Sequence, residues 1–438
     1  MPAIKLCIVG GGSSYTYEML SVFANHVASG DLAGSTISLY DIDNKNSQLM
    51  TDFGNSVASA KKLDFKITAA KTLEEGLTGA DFVLSSIRAG GFKQLNYDEQ
   101  IPLKYGILGQ ETTGVGGIFM IARNAEAVER LARTIAKVCP DAILINYTNP
   151  TGMVTELTTR VSNPRVFGLC DGVIGVKGLM GELMGIPWEE AKNIEAYVYG
   201  VNHCTWTLAL RYQGQDLYPL VPKLIEKADF KRLSAISYCY EDACRLYRYY
   251  GLLPGSLYYT RYYYTLSKVL RQFSEPGFAN LSQHLTKQAE RVRLEIRSQI
   301  GKNNADFHQE GPAAHGDQAI GTVQAMACNT RKMDIVNVKN RGIICNLPEE
   351  AVVEVPAILT RQGALPISLG PLPDSVVNVV QAVDMHCRLA VTAAMTGDKR
   401  VVMQAAMAHP CNRDFEAMEK CLAEMFAANK EWLPRFVT

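Results

Sequence analysis

The N-terminal stretch constrains this chain more than any other. Lys5-Leu6-Cys7-Ile8-Val9 is a short apolar run, Gly10-Gly11-Gly12-Ser13-Ser14 follows it, and from Tyr17 to His26 apolar residues recur at helical spacing. A buried strand that enters a glycine turn and leaves as a helix is the opening unit of a parallel α/β sheet. Glycine permits the tight turn. The free N–H groups and dipole at the helix start then favour an anion such as a pyrophosphate. The third glycine usual in such turns is missing, and Tyr15 stands in its place. A second apolar run, residues 35 to 40, ends at Asp41. An acid there accepts hydrogen bonds from ribose hydroxyls and repels a 2′-phosphate, which favours NAD over NADP.

Residues 81 to 87 and 142 to 147 are two further candidate buried strands, with a long helical stretch from about Gly117 to Val138 between them. Short apolar strands alternating with helices predict a parallel sheet covered on both faces. After about residue 195 the texture changes. A helical, aromatic stretch from Phe230 to Gly251 leads into a tyrosine-rich run, Pro254 to Tyr264. A charged helix is expected over 282 to 300, β structure over 342 to 363, and helices from about 374. The expected fold class is therefore α/β. A Rossmann-like parallel-sheet domain, residues 1–195, precedes an α+β catalytic and oligomerisation domain, residues 196–438, as in lactate and malate dehydrogenases.

At 438 residues and 47% hydrophobic content the chain can bury a large core without disulfides. A formal net charge of zero argues against nucleic acid or an anionic membrane surface as partner. Eleven cysteines without a CxxC pair read as reduced thiols in a cytoplasmic protein. The N-terminus shows no signal-peptide pattern, and no apolar run is long enough to span a bilayer.

Two later residues carry metal chemistry. Cys170 follows Phe167-Gly168-Leu169, and His203 follows Val198-Tyr199-Gly200-Val201, each run ending like a strand. Alone, a cysteine is usually a small buried hydrophobe and a histidine a structural side chain. Together, at the ends of successive segments in an NAD-type chain, they read as two ligands of a divalent ion with positions left open for substrate oxygens. His26, His386 and His409 lie in helical contexts and read as structural, while His284, His308 and His315 stay open. Tyr259 belongs to the tyrosine run. Beside a metal and a cation, such a phenol can lose its proton and act as a base.

These residues resemble the NAD- and manganese-dependent glycoside hydrolases of family four. The resemblance spans nearly the whole chain. It rests on Gly10 to Thr16, Ile87-Arg88-Ala89-Gly90-Gly91, Gly109-Gln110-Glu111-Thr112-Thr113-Gly114, Asn149-Pro150-Thr151-Gly152, Cys170-Asp171, Val201-Asn202-His203, Tyr259 to Tyr263 and Asn346-Leu347-Pro348. Such enzymes depart from two-carboxylate hydrolysis. The resemblance implies oxidation of the sugar at C3 by NAD+ and loss of the acidified C2 proton. The aglycone then leaves by elimination, water adds back, and the hydride returns. It also implies residue roles. Gly10, Gly12, Ser13, Ser14, Asp41 and Asn149 contact NAD, and Cys170 and His203 hold Mn2+ or another divalent metal. Tyr259 is the C2 base, with Tyr258 the alternative after a one-residue slip. Asp171 is an acid for the leaving group, as in members acting on α-linked sugars. Arg88, Lys93, Asn149 and Asn202 face a small carbohydrate substrate, and the assembly is a homodimer or homotetramer.

The chain departs from the family at one point. Members that take 6-phosphosugars carry two arginines at positions occupied here by Leu95 and Gln288. Phosphate recognition wants fixed cationic forks. Lys93, Arg291 or Arg293 could stand in, but the simple expectation is an unphosphorylated hexoside or uronide. Two other classes share the cofactor turn. A malate/lactate-type 2-hydroxyacid dehydrogenase would not need Cys170 or the tyrosine cluster, and an NAD(H)-sensing protein would bind without turnover.

Overall fold

Six short strands rich in Ile, Val, Leu and Phe pair in parallel: β1 (Lys5–Val9), β2 (Ser35–Tyr40), β3 (Phe65–Ala70), β4 (Phe82–Ser85), β5 (Ile143–Asn146) and β6 (Arg165–Gly168). These features come from a computed structural model that describes residues 3–162, 164–275, 281–308 and 314–436. The spatial order is β3-β2-β1-β4-β5-β6. The chain reverses its direction of travel between β1 and β4, and the crevice beyond the carboxyl ends of the strands at such a switch point is where ligands bind. Four of these strands fall where the apolar runs predict them. β3 does not stand out in sequence, because as an outer strand it alternates buried and exposed residues over Phe65-Lys66-Ile67-Thr68.

The second half adds β7 (Glu195–Val201), β8 (Cys204–Tyr212), β9 (Gln215–Asp216), β10 (Leu253–Pro254), β11 (Met333–Lys339), β12 (Val352–Thr360) and β13 (Gly363–Pro366). These strands continue the same sheet in antiparallel fashion, in the order β6-β11-β12-β7-β8-β10. The β segment expected over 342–363 resolves into β12 and the start of β13. One register row crosses the junction: Gly168 pairs with Asn337, Asn337 with Glu354, and Glu354 with Gly200.

The helices of the second half return to the first. Helices Leu281–Gln299 and Ala314–Ala327 place Val292, Ile296, Ala319 and Val323 in one core with Leu6, Ile8, Phe23 and Phe53. On the other face, Val391, Met418 and Met425 of the C-terminal helices pack against Ile118 and Leu157. The helical stretch expected over 230–251 consists of two helices, Phe230–Ile236 and Tyr240–Tyr250, the first capped at its N-terminus by the Asp229 carboxylate. Among the described residues no helix is long and apolar enough to cross a membrane.

Candidate functional site

A cavity of about 530 Å³ opens beyond the carboxyl ends of β1, β2, β4, β5 and β6. The glycine turn forms one wall. Gly10 has φ +91, and a Cβ there would sit 2.1 Å from the Ser86 carbonyl oxygen. At Gly12 a Cβ would lie 2.6 Å from the Asn46 Cβ and 3.0 Å from Asp41 Oδ2, so the turn tolerates no side chain at either position. The Gly12 N–H donates to Asp41 Oδ2 at 2.9 Å, which fixes the carboxylate at the end of β2. Gly10, Gly12, Ser13, Ser14, Asp41 and Asn149 all line the cavity, where the sequence reading expects cofactor contacts. Tyr15, in place of the third glycine, also lines it, its ring 4.8 Å from that of His315.

Cys170 and His203 meet at the other end. The Cys170 Sγ is 3.5 Å from the His203 Nε2. Their strands are not neighbours, since β11 and β12 lie between β6 and β7. The loops converge over the register row of Asn337 and Glu354, which explains two buried polar side chains in mid-sheet. The Glu354 Oε1 accepts from Asn337 at 3.3 Å and from Asn202 at 3.4 Å. Burial pushes the Glu354 carboxyl up to about 7 against these hydrogen bonds. His203 occupies the left-handed region with φ +65, in the turn joining β7 to β8. A side chain there costs on the order of 1 kcal/mol, a strain typical of functional positions. Burial lowers the His203 imidazole to about 3, so it stays neutral and its lone pair is available to a cation. Burial raises the Cys170 thiol well above its ordinary value, with Glu354 adding to the rise.

The donor set fits an open metal site. A thiol and a neutral imidazole converge at the cavity wall, and among the described residues no third His, Cys, Asp or Glu completes a closed cluster. A dication here would displace the thiol proton and leave coordination positions toward the cavity.

The tyrosine run sorts itself by position. Tyr259 lies flat on His203, ring centroids 3.4 Å apart and planes 6° from parallel, and lines the cavity. Tyr258 is 37% exposed and packs edge-on against Tyr238 outside the cavity. Burial, followed by the Asp171 charge, raises the Tyr259 phenol well above its ordinary value, so only a cation beside it makes the phenolate accessible.

His315, left open by the sequence, belongs to the site. Its Nε2 lies 3.3 Å from Asp171 Oδ2, and its Nδ1 lies 3.5 Å from Glu18 Oε2. Burial opposes its charge, but the hydrogen bonds to Asp171 and Glu18 prevail and raise the imidazole to about 10. Burial pushes the Asp171 carboxyl up, yet the His315 hydrogen bond and charge hold it below its ordinary value. The proton of this pair therefore sits on His315.

Two expected substrate contacts, Lys93 and Asn202, are placed away from the cavity. Lys93 is exposed, its ammonium 6.0 Å from the centre of the Tyr97 ring, and it does not line the cavity. It lies on an outward turn of helix Gly91–Leu103. Asn202 is buried and does not line the cavity, its amide bonding Glu354 and its side chain also hydrogen-bonding Cys170. Arg88 does line the cavity, but its guanidinium already pairs with the Glu111 carboxylate. The other Glu111 oxygen accepts from Asn149 Nδ2 at 2.9 Å. Of the two positions where phosphosugar enzymes of the resembled family carry arginine, Leu95 is buried, and the Gln288 amide donates to Glu18 Oε1 at 3.1 Å.

His386 and His409 are structural, as expected. Both are buried and their rings stack edge to face at 4.8 Å. His386 Nε2 accepts from the Gly114 N–H at 3.1 Å, its Nδ1 bonds the Ala405 carbonyl, and His409 Nε2 meets Thr113 Oγ1 at 2.8 Å. Burial lowers His386 to about 4. A histidine depressed in the folded state gives the unfolded chain the stronger proton affinity. Its contribution is therefore complete above the unfolded value of 6.5 and is lost as pH falls below it. Urea denaturation of the wild type and of His386→Gln, compared at pH 7 and pH 5.5, should show the wild type losing about 1 kcal/mol more than the variant. Parallel losses would mean that His386 is not held neutral.

Residues 5–186 match the family described as Family 4 glycosyl hydrolase, and residues 198–411 match that family's C-terminal domain. A probable 6-phospho-beta-glucosidase of Bacillus subtilis is 29% identical, over 99% of this chain and 98% of that one. An alpha-galacturonidase of Lachnoclostridium phytofermentans is 28% identical, over 99% and 97%. The structure of the Thermotoga maritima 6-phospho-beta glucosidase with manganese, NAD+ and glucose-6-phosphate superposes with a TM-score of 0.81 at 26% identity, covering 98% of this chain and 99% of that one. A Plasmodium falciparum malate dehydrogenase, at 13% identity and a TM-score of 0.57 over 91% of this chain and 99% of that one, shares the fold alone.

Proposed function

The chain belongs to the family 4 glycosyl hydrolases, and on that premise we propose that it cleaves unphosphorylated hexosides or uronides with NAD+ and a divalent metal, by redox–elimination. The observation that carries this reading is the convergence of Cys170 Sγ and His203 Nε2, 3.5 Å apart, in the same cavity as the Gly10–Gly12 turn and Asp41. A dehydrogenase of the malate type would leave Cys170 and Tyr259 without a part. When bound, the nicotinamide would take and return hydride at C3 and the metal would act as a Lewis acid on the sugar oxygens. Gly12 and Asp41 hold the cofactor, and Asn149, braced by Glu111, orients the nicotinamide and the sugar beside it. Tyr259 takes the C2 proton, and the Asp171–His315 pair supplies a proton to the departing oxygen.

The arrangement of charge supports an unphosphorylated sugar. Arg88 is neutralised by Glu111, Leu95 is buried, and Gln288 leads to the Glu18 carboxylate. A dianionic phosphate buried here would cost on the order of several kcal/mol without a fixed cation. A second reading, a 6-phosphoglycoside, is favoured by Arg293, which lines the same cavity, and by the 6-phospho-glucosidases among the relatives.

The test is a panel of nitrophenyl α- and β-glycosides with NAD+ and Mn2+, including glucosides, galactosides, uronides and 6-phosphates. We expect turnover to require both additives. The kcat/KM of the best unphosphorylated sugar or uronide should exceed that of its 6-phosphate counterpart by about tenfold or more. Preference for the 6-phosphate would transfer the function to the second reading. Turnover after removal of cofactor and chelation with EDTA would overturn both.

A further inference from the structure

We propose that Thr112 and Gln110 are positioning residues that fix the ring tautomer of His203, leaving its Nε2 lone pair aimed at the space beside Cys170. The inference rests on the reading that Cys170 and His203 hold a metal, and it concerns two residues to which no role has been given above.

Four consecutive side chains of this loop are all engaged. Glu111 braces Arg88 and Asn149, and Thr113 meets His409. The Gln110 Oε1 receives the backbone N–H of Thr112 at 2.6 Å and that of Thr113 at 3.0 Å. Two backbone donors converge on this atom, so it is the amide oxygen and can only accept. The Thr112 Oγ1 lies 2.6 Å from that oxygen and 2.6 Å from His203 Nδ1. The hydroxyl has one proton. If it were given to Nδ1, two oxygens with only lone pairs between them would face each other at 2.6 Å. The hydroxyl proton must therefore go to Gln110, and Nδ1 must supply the proton for the other contact. A neutral ring protonated on Nδ1 is bare at Nε2, the atom 3.5 Å from Cys170 Sγ. Tyr259, stacked on the ring face at 3.4 Å, fixes the plane, while Thr112 fixes the edge. Gln110, Thr112 and His203 are all buried. Water therefore does not substitute readily for the missing bond.

Outer partners of metal-bound histidines typically alter affinity tenfold to a hundredfold. Thr112→Val keeps the branched shape and removes the hydroxyl, whereas Thr112→Ser keeps the hydroxyl. Mn2+ affinity, measured on the NAD+-bound protein by electron paramagnetic resonance of the free ion, should weaken by about tenfold or more in Thr112→Val and by less than about threefold in Thr112→Ser. NAD+ affinity should be unchanged in both. Equal Mn2+ affinity in wild type and Thr112→Val would overturn the proposal, as would equal weakening in both variants. His203→Ala serves as the reference. If it too leaves Mn2+ affinity intact, the metal reading itself fails, and the proposal with it. One measurement needs no variant. In metal-free protein labelled with 15N-histidine, the His203 ring should show Nδ1 protonated and Nε2 bare, and the opposite assignment refutes the proposal.

Discussion

His203→Ala and Cys170→Ser should each lower turnover by at least about a thousandfold while NAD+ affinity stays within a few-fold of wild type. A Lewis acid at a developing enediolate supplies several kcal/mol, and each 1.36 kcal/mol is a factor of ten in rate. Among the described residues no third His, Cys, Asp or Glu joins these two donors, so loss of either removes half of the proposed thiolate and imidazole set. The cofactor turn is unaffected, because the Gly10 N–H is held by the Tyr40 carbonyl and the Gly12 N–H by the Asp41 carboxylate. Binding of NAD+, followed by fluorescence, is therefore the internal control for folding. Near-normal turnover in either variant would mean that the ligand set is wrong. Loss of NAD+ binding together with turnover would mean that the residue supports the fold rather than the ion.

The cofactor half of this site is legible in the sequence because it is local. The strand, the glycine turn, the helix and Asp41 lie within one stretch of chain, and each residue type answers to a backbone or charge requirement that it meets by itself. The proposed metal half is legible only as two residues. Nothing in the local pattern says that β11 and β12 insert between β6 and β7, since those strands come from far downstream and pair through a few register contacts such as Gly168 with Asn337. His315 illustrates the same limit. Its spacing has no signature, and its partners Asp171 and Glu18 are distant in the chain. Lys93 errs in the opposite direction, being near a motif in sequence yet on the outward side of its helix. Asn202 lies next to His203 but does not line the cavity, because its side chain is taken up by the buried Glu354 and by Cys170. A buried carboxylate needs such partners, and that need decides where the neighbouring side chains turn.

Tyr259→Phe should reduce kcat by about a thousandfold or more, a loss expected when the group that moves the proton is deleted. The variant keeps the ring that stacks on His203 at 3.4 Å, so the packing of that imidazole survives and the change is confined to one hydroxyl. NAD+ and Mn2+ affinities should both be retained, which separates this variant from His203→Ala. The chemistry has its own tracer. Removal and return of the C2 proton through a phenolate exchanges it with solvent, so wild-type turnover in D2O should give product deuterated at C2, detected by proton NMR. Product without label at C2 would rule out elimination altogether, whatever the variant does. Tyr258→Phe is the matched control. That residue is 37% exposed, packs on Tyr238 and lies outside the cavity, and its loss should leave kcat within a few-fold. If Tyr258→Phe were the inactive variant and Tyr259→Phe the active one, the base would have to reach the sugar from outside the cavity that holds the cofactor turn. In that case the stacked phenol of Tyr259 would serve only to hold the imidazole.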